Sequence, residues 1–155
     1  MAKAQRPVPE GFRTLTLQLT VAGAAKYIDF LTRAFGAVEV GRAPGPDGRL
    51  IHALIRVGDA VLMLHDDFPE YCGGTPIAQG RWPLTLQLYV PDADAAFARA
   101  VDAGCQVLMP PSGQFWGDRY AQVKDPFGFT WAIATRMEDL TPEELRARQA
   151  AAFGG

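Results

Sequence analysis

Only two histidines, His52 and His65, are present among 155 residues. Asp66 and Asp67 follow His65 directly, and Glu70 is close behind. An imidazole beside a carboxylate can act as an oriented general base: one ring nitrogen is held while the other takes a proton. The same run also reads as a strand-end histidine with ordinary surface acids. His52 and Tyr120 are either two hydrogen-bonding tips in a pocket or half-exposed strand residues. Phe115 and Trp116 sit in a stretch bounded by Gly113 and Gly117, and Phe68, Tyr71 and Trp82 lie near the middle of the chain. Rigid aromatic area on loops can stack on a flat ligand at low entropic cost. Trp116 reads first as a structural plug or a dimer-interface residue, and second as a ligand contact. Asp118 and Arg119 read first as an ion pair fixing that loop, and second as a site where Arg119 meets an anionic ligand. Cys72 has no Lys, Arg or His within a few residues to lower its pKa, so it reads as an ordinary cysteine. The chain has neither a glycine-rich phosphate loop nor a Gly-x-Ser-x-Gly elbow.

These groups need elements to position them, and the elements come in two copies. Leu15-Thr16-Leu17-Gln18-Leu19 recurs unchanged as Leu84-Thr85-Leu86-Gln87-Leu88, an offset of 69 residues (15 to 84). A helical stripe follows each copy. The first is Ala24, Tyr27, Ile28, Leu31 and Phe35, stopped by Gly36. The second is Ala93, Ala96, Phe97, Ala100 and Val101, opened by Asp92 and stopped by Gly104. The pattern predicts strand, helix and three further strands in each copy. The first copy reads as strands over 14–21, 38–42, 50–57 and 60–65 with a helix over 24–35. The second reads as strands over 84–90, 106–109, 120–124 and 129–135. Pro44-Gly45-Pro46-Asp47-Gly48, Gly58-Asp59, Pro110-Pro111-Ser112-Gly113 and Asp125-Pro126-Phe127-Gly128 read as turns. Thr141-Pro142-Glu143-Glu144 is a capping box that opens a short charged helix. The resulting division is an arm over 1–10, a first βαβββ module over 11–66, an inter-module loop over 67–82, a second module over 83–137 and a helical tail over 138–155.

Composition narrows the function. A net charge of −2 lacks the basic footprint that phosphate backbones require, so nucleic acid is not an expected partner. No apolar run reaches the ~18–20 residues that span a bilayer, so no membrane is expected either. Two cysteines imply no disulfide framework, and a cytoplasmic location follows as the expectation.

Two tandem βαβββ modules with this spacing resemble the vicinal-oxygen-chelate superfamily of glyoxalases, extradiol dioxygenases, epimerases and bleomycin-resistance proteins. Pro7–Phe12, Ile28-Asp29-Phe30, Ala34-Phe35-Gly36-Ala37, Gly58–Leu64 and above all Gln114–Tyr120 with Asp125–Trp131 resemble its PhnB-like branch. The resemblance implies an α+β fold, in which the modules form a cup-shaped mixed sheet with helices on the outer face and a pocket on the inner. Period-two alternation then puts Leu15, Leu17, Leu19 and Val21 under the helix and Thr14, Thr16, Gln18 and Thr20 in the cup. In the second copy Thr85, Gln87 and Tyr89 point into the cup.

Metal-dependent members hold one divalent ion with four His or Glu ligands. The resemblance maps those positions onto Thr16, Met63, Thr85 and Ala132, none of which supplies imidazole or carboxylate. Gln18 and Gln87 could replace the two threonines only through a register slip. The resemblance therefore implies a metal-free, cofactor-free small-molecule binder, and this donor set leans away from an enzyme. It would be a homodimer sequestering an antibiotic-like or aromatic ligand, with Gln18, Met63, His65, Thr85, Gln87, Tyr89, Trp116 and Tyr120 as ligand contacts. The rivals are a metal-dependent or metal-free lyase, isomerase or dioxygenase using His65 or Tyr120, and a ligand-free structural or regulatory dimer.

Overall fold

The computed structural model describes residues 6–71, 76–77 and 82–154. Cys72 lies outside the described residues. The chain divides into two compact units, Met1–Ala78 and Gln79–Gly155.

The first unit contains β1 (Gln18–Val21), α1 (Ala24–Phe35), β2 (Val38–Pro44), β3 (Leu50–Val57) and β4 (Ala60–Asp66). Its sheet has the order β1-β4-β3-β2, with β1 parallel to β4 and the other pairs antiparallel. The helix buries Ala24, Tyr27, Ile28, Phe30, Leu31 and Ala34. Leu19, Val21, Ile55, Leu62 and Leu64 are buried on the sheet, and α1 packs against all four of its strands. Alternate residues of these strands therefore form the core, and their neighbours make the open face.

The second unit repeats the plan with β5 (Thr85–Tyr89), α2 (Ala93–Asp102), β6 (Gln106–Gly113), β7 (Asp118–Lys124) and β8 (Thr130–Arg136), in the order β5-β8-β7-β6. Leu86, Trp131, Ile133, Ala121 and Val123 are buried and share one face through the ladder register. Asp92 caps α2 by accepting from the Ala95 N–H, as the sequence predicts. The terminal helix α3 (Pro142–Phe153) opens on the complete Thr141–Glu144 capping box.

Two expectations fail locally. The Pro110–Gly113 stretch is strand, not turn, because β6 runs on to Gly113. Proline cannot donate to a ladder, but β6 is an edge strand with shifted register between Met109 and Ser112, where missing donors cost little. The first strand starts at Gln18 rather than at residue 14. The Thr16 hydroxyl donates to the Arg13 carbonyl at 2.9 Å, and this local turn competes with the ladder. Leu15 is consequently 85% exposed instead of lying under the helix, and Leu17 is exposed as well.

Candidate functional site

Each sheet presents its own open face. On the first, β1 and β4 run side by side, so Gln18 lies beside Met63 and Thr20 beside His65. The His65 Nδ1–H donates to the Asp66 carbonyl oxygen at 2.7 Å. That bond assigns the tautomer, since a carbonyl only accepts. In the neutral ring Nε2 then accepts from the Thr20 hydroxyl at 3.1 Å. His65 and Phe68 stack with centroids 6.5 Å apart. Beside them is a groove of about 490 Å³ whose apolar walls include Ile51, Phe68 and Tyr71. Arg49 lies 4.2 Å over the Phe68 ring and is ion-paired to both Asp47 and Glu70.

The carboxylate expected to orient His65 is elsewhere. Asp66 is 6% exposed and its side chain turns to the helix side. There Oδ1 accepts from the Gly23 and Ala24 N–H groups and Oδ2 from the Leu50 N–H. Helix α1 starts on Gly23 without a side-chain cap of its own. Asp66 therefore supplies the cap from a distant strand and ties β3 to the same point. Successive strand residues point to opposite faces, so one of this His–Asp pair had to leave the open side. Asp67 accepts from the Ile77 N–H, and Glu70 is committed to Arg49.

The second open face carries a connected polar and aromatic network. Asp118 is 5% exposed, and its Oδ2 accepts from the Tyr89 hydroxyl at 2.9 Å and from the Trp116 indole N–H at 3.0 Å. The nearby carboxylate pushes the Tyr89 phenol above its ordinary range, first through that hydrogen bond and then through burial. Trp116 meets Tyr120 edge to face at 5.4 Å and Phe115 at 5.0 Å. Phe115 in turn meets Phe153 at the end of α3. The Gln122 amide donates to the Tyr120 hydroxyl at 2.8 Å. Gly117 keeps the loop in place. Its φ is +95°, its carbonyl accepts from the Met137 and Glu138 N–H groups, and a Cβ there would lie 3.0 Å from the Glu138 oxygen.

The expected Asp118–Arg119 ion pair does not form. As adjacent strand residues the two diverge, and Arg119 pairs with Asp94 of α2 at 2.7 Å. His52 is exposed on β3. Of the candidate contacts, Gln18, Met63 and His65 share the first open face. Thr85, Gln87, Tyr89 and Tyr120 lie on strands of the second, with Trp116 on the loop leading into β7. Gln122 and Lys124 are not singled out by the sequence reading, and Asp118 only as the partner of Arg119, although period-two spacing from Tyr120 along β7 puts all three on the same face. A second groove of about 550 Å³ lies at the far end of that face, lined by Trp82, Thr85, Gln106, Gln122, Lys124 and Thr130 among others.

The ladder also tests the metal positions. Gln18, not Thr16, lies beside Met63, and Gln87, not Thr85, beside Ala132. Thr16 is off the sheet and Ala132 is fully buried. Two neutral amides, a thioether and a methyl group do not fit a divalent cation, which takes imidazole or carboxylate here. Among the described residues no group of three or more His, Cys, Asp or Glu is arranged to hold a metal ion.

Cys105 is the buried thiol of the second unit. Burial, with Asp125 nearby, pushes its pKa up to about 12. Iodoacetamide at pH 8 should therefore leave Cys105 unmodified in the native protein and label it after urea unfolding, as read by mass spectrometry. Folding favours the neutral thiol, so its contribution is complete below the unfolded value near 9 and is lost as pH rises towards 12.

The comparisons with known proteins agree with this architecture. An uncharacterized Mycobacterium bovis protein is 46% identical over 136 residues, 86% of this chain and 90% of the relative. An uncharacterized Arabidopsis thaliana protein is 31% identical over 75% of this chain and 74% of its own length. Among solved structures, TioX from Micromonospora sp. ML1 superposes with a TM-score of 0.61 at 25% identity, covering 79% of this chain and 99% of its own. A glyoxalase-related enzyme from Fulvimarina pelagi gives 0.62 at 22% identity, over 79% and 88%, a likeness of fold alone. The family model described as Glyoxalase/Bleomycin resistance protein/Dioxygenase superfamily matches residues 13–133. With two βαβββ units in the fold and that match across most of its length, the chain belongs to the Glyoxalase/Bleomycin resistance protein/Dioxygenase superfamily.

Proposed function

We propose that this protein binds an aromatic or largely apolar small molecule without a metal ion, on the open face of the second unit. The observation that carries the reading is the Tyr89–Asp118–Trp116–Tyr120 constellation. Two ring systems are held by a buried carboxylate, and a third is pinned edge to face. Side chains locked in this way lose little entropy when a ligand arrives. Thr85 and Gln87 add exposed polar groups along β5. Such a mixture of apolar area and a few placed polar groups is what small-molecule sites use. The open face of the first unit, with Gln18, Met63 and His65, is a contact surface of its own, and Met63 gives it adaptable packing. The same reading has the protein acting as a cytoplasmic homodimer of the PhnB-like branch. The exposed Val38 and Val40 on the edge strand β2 support the dimer.

The test is calorimetric titration with 2-naphthol before and after exhaustive dialysis against EDTA. Saturable binding that is the same in both samples is expected. Binding that disappears with EDTA and returns with a divalent ion would sink the proposal in favour of a metal-dependent enzyme.

One observation favours a second reading, a metal-free proton-transfer enzyme. His65 has a single tautomer, set by the Asp66 carbonyl, and its basic Nε2 lies against the Thr20 hydroxyl. The apolar groove beside it would shield a reacting group from water. That reading requires turnover that His65→Gln abolishes while the fold persists.

A further inference from the structure

The two grooves differ in charge as well as in place. In the first unit the cation, Arg49, is already matched by Asp47 and Glu70. In the second unit Lys124 lines the groove, and none of the groove's described lining residues is acidic. Among the described residues Lys124 has no carboxylate within ion-pair distance. At the other end of the same face Arg136 pairs with Asp139, and Asp118 accepts hydrogen bonds from two neutral donors, the Tyr89 hydroxyl and the Trp116 indole.

The face therefore has two unlike ends joined by one strand. Tyr120, Gln122 and Lys124 alternate along β7 on the same side. Four residue steps separate the ring of Tyr120 from the amine of Lys124, roughly 13 Å of strand. Gln122 stands between them, its amide donating to the Tyr120 hydroxyl. Around Lys124 stand the amides of Gln106 and Gln122 and the hydroxyls of Thr85 and Thr130, all able to donate. The Trp82 ring walls this end, stacked on Phe129 at 5.6 Å with its indole N–H donating to the Phe127 carbonyl.

We infer that the ligand is an aromatic acid. Its ring lies against Trp116 and Tyr120, and its carboxylate reaches the Lys124 ammonium and the donors beside it. An unmatched ammonium surrounded by neutral donors selects an anion over a neutral or cationic group. The roughly 13 Å separation selects a molecule with a spacer between ring and acid. This deepens the ligand-binding reading above and rests on it.

The test compares 6-phenylhexanoate with 6-phenylhexanamide, two probes of one shape and different charge. Titrations use the full chain and its Lys124→Met variant, which keeps the length of the aliphatic stem, with circular dichroism confirming that both are folded. The acid is expected to bind at least tenfold tighter than the amide at low salt. Lys124→Met should remove that tenfold preference, the acid losing far more affinity than the amide. Raising salt from 0.02 to 0.5 M should weaken the acid and not the amide. Equal affinities for the two probes, or a Lys124→Met variant with the same preference, overturn the inference while ligand binding itself stands. Failure of both probes to bind overturns the inference, and 2-naphthol then decides the broader reading independently.

Discussion

Asp66→Ala should cost the protein about 3–5 kcal/mol in a urea unfolding experiment, since an orphaned buried N–H costs roughly 1–3 kcal/mol and three are at stake. The three are the Gly23, Ala24 and Leu50 N–H groups, at 2.8, 2.9 and 2.7 Å from the carboxylate. Two of them begin α1, where the chain has no cap of its own and the helix dipole favours negative charge. The third begins β3. One side chain thus holds a helix start and a strand start against the end of β4, and an alanine leaves all three unpaired. Asp66→Asn keeps acceptor capacity at one oxygen only, so it should fall between wild type and alanine. A loss below about 1 kcal/mol for Asp66→Ala would mean that water replaces the carboxylate and that the helix needs no remote cap.

Asp118→Ala is expected to weaken 2-naphthol binding at least tenfold, while costing only about 1–2 kcal/mol of stability through the donors it strands. The asymmetry follows from what Asp118 holds. Tyr89 is 61% exposed, so its hydroxyl can turn to water, and the larger consequence is that Trp116 loses the bond that sets its ring. Asp118→Asn separates charge from geometry. The carboxylate opposes formation of a phenolate beside it, which is why Tyr89 titrates above its usual value. The raised pKa means that this hydrogen bond contributes fully below the unfolded value near 10 and is lost as pH rises through the folded one. With asparagine, the phenol should return towards its ordinary range, seen as an earlier rise in tyrosinate absorbance. Tyr89→Phe identifies that transition by removing it. Wild-type affinity in Asp118→Ala would show that Trp116 is placed by Phe115, Tyr120 and the Gly117 turn instead, and Asp118 would leave the site.

The charged tail also acquires a context. Helix α3 has no buried residue, and as sequence it reads only as a surface or dimer-edge helix. Its Arg148 pairs with Glu138 at 2.6 Å, and its Phe153 meets Phe115. The ring series Phe153, Phe115, Trp116 and Tyr120 thus runs from the terminal helix to the proposed site. No periodicity announces this contact, because a single aromatic at a helix end leaves no stripe.

Most of the fold was legible because it is written in local chemistry. Helix Ala24–Phe35 and strand Leu50–Val57 have the bounds that apolar spacing and glycine stops give. The duplicated Leu-Thr-Leu-Gln-Leu pentapeptide announced two units of one plan. Alternation correctly placed Thr85, Gln87 and Tyr89 on exposed positions of β5 and Leu86 in the core. These features depend on neighbours a few residues away, which a reader of the chain can see.

Partner choice was not legible, because it is settled across tens of residues. Asp66 follows His65 in the chain but serves the start of α1, 42 residues away. Asp118 precedes Arg119 but takes Tyr89 and Trp116, while Arg119 crosses to Asp94. In both cases the pleat sends adjacent side chains to opposite faces, and each finds what its own face offers. The lateral register that puts Gln18 beside Met63 and Gln87 beside Ala132 is likewise a property of paired strands. By itself the sequence determined two βαβββ units, most of their cores and a donor set poor in metal ligands. The tertiary structure alone decided which carboxylates are structural, which aromatics form one network and that Lys124 faces a groove whose described residues hold no counter-charge, because hydrogen bonds and ion pairs form between groups that folding brings within about 3–4 Å, whatever their order in the chain.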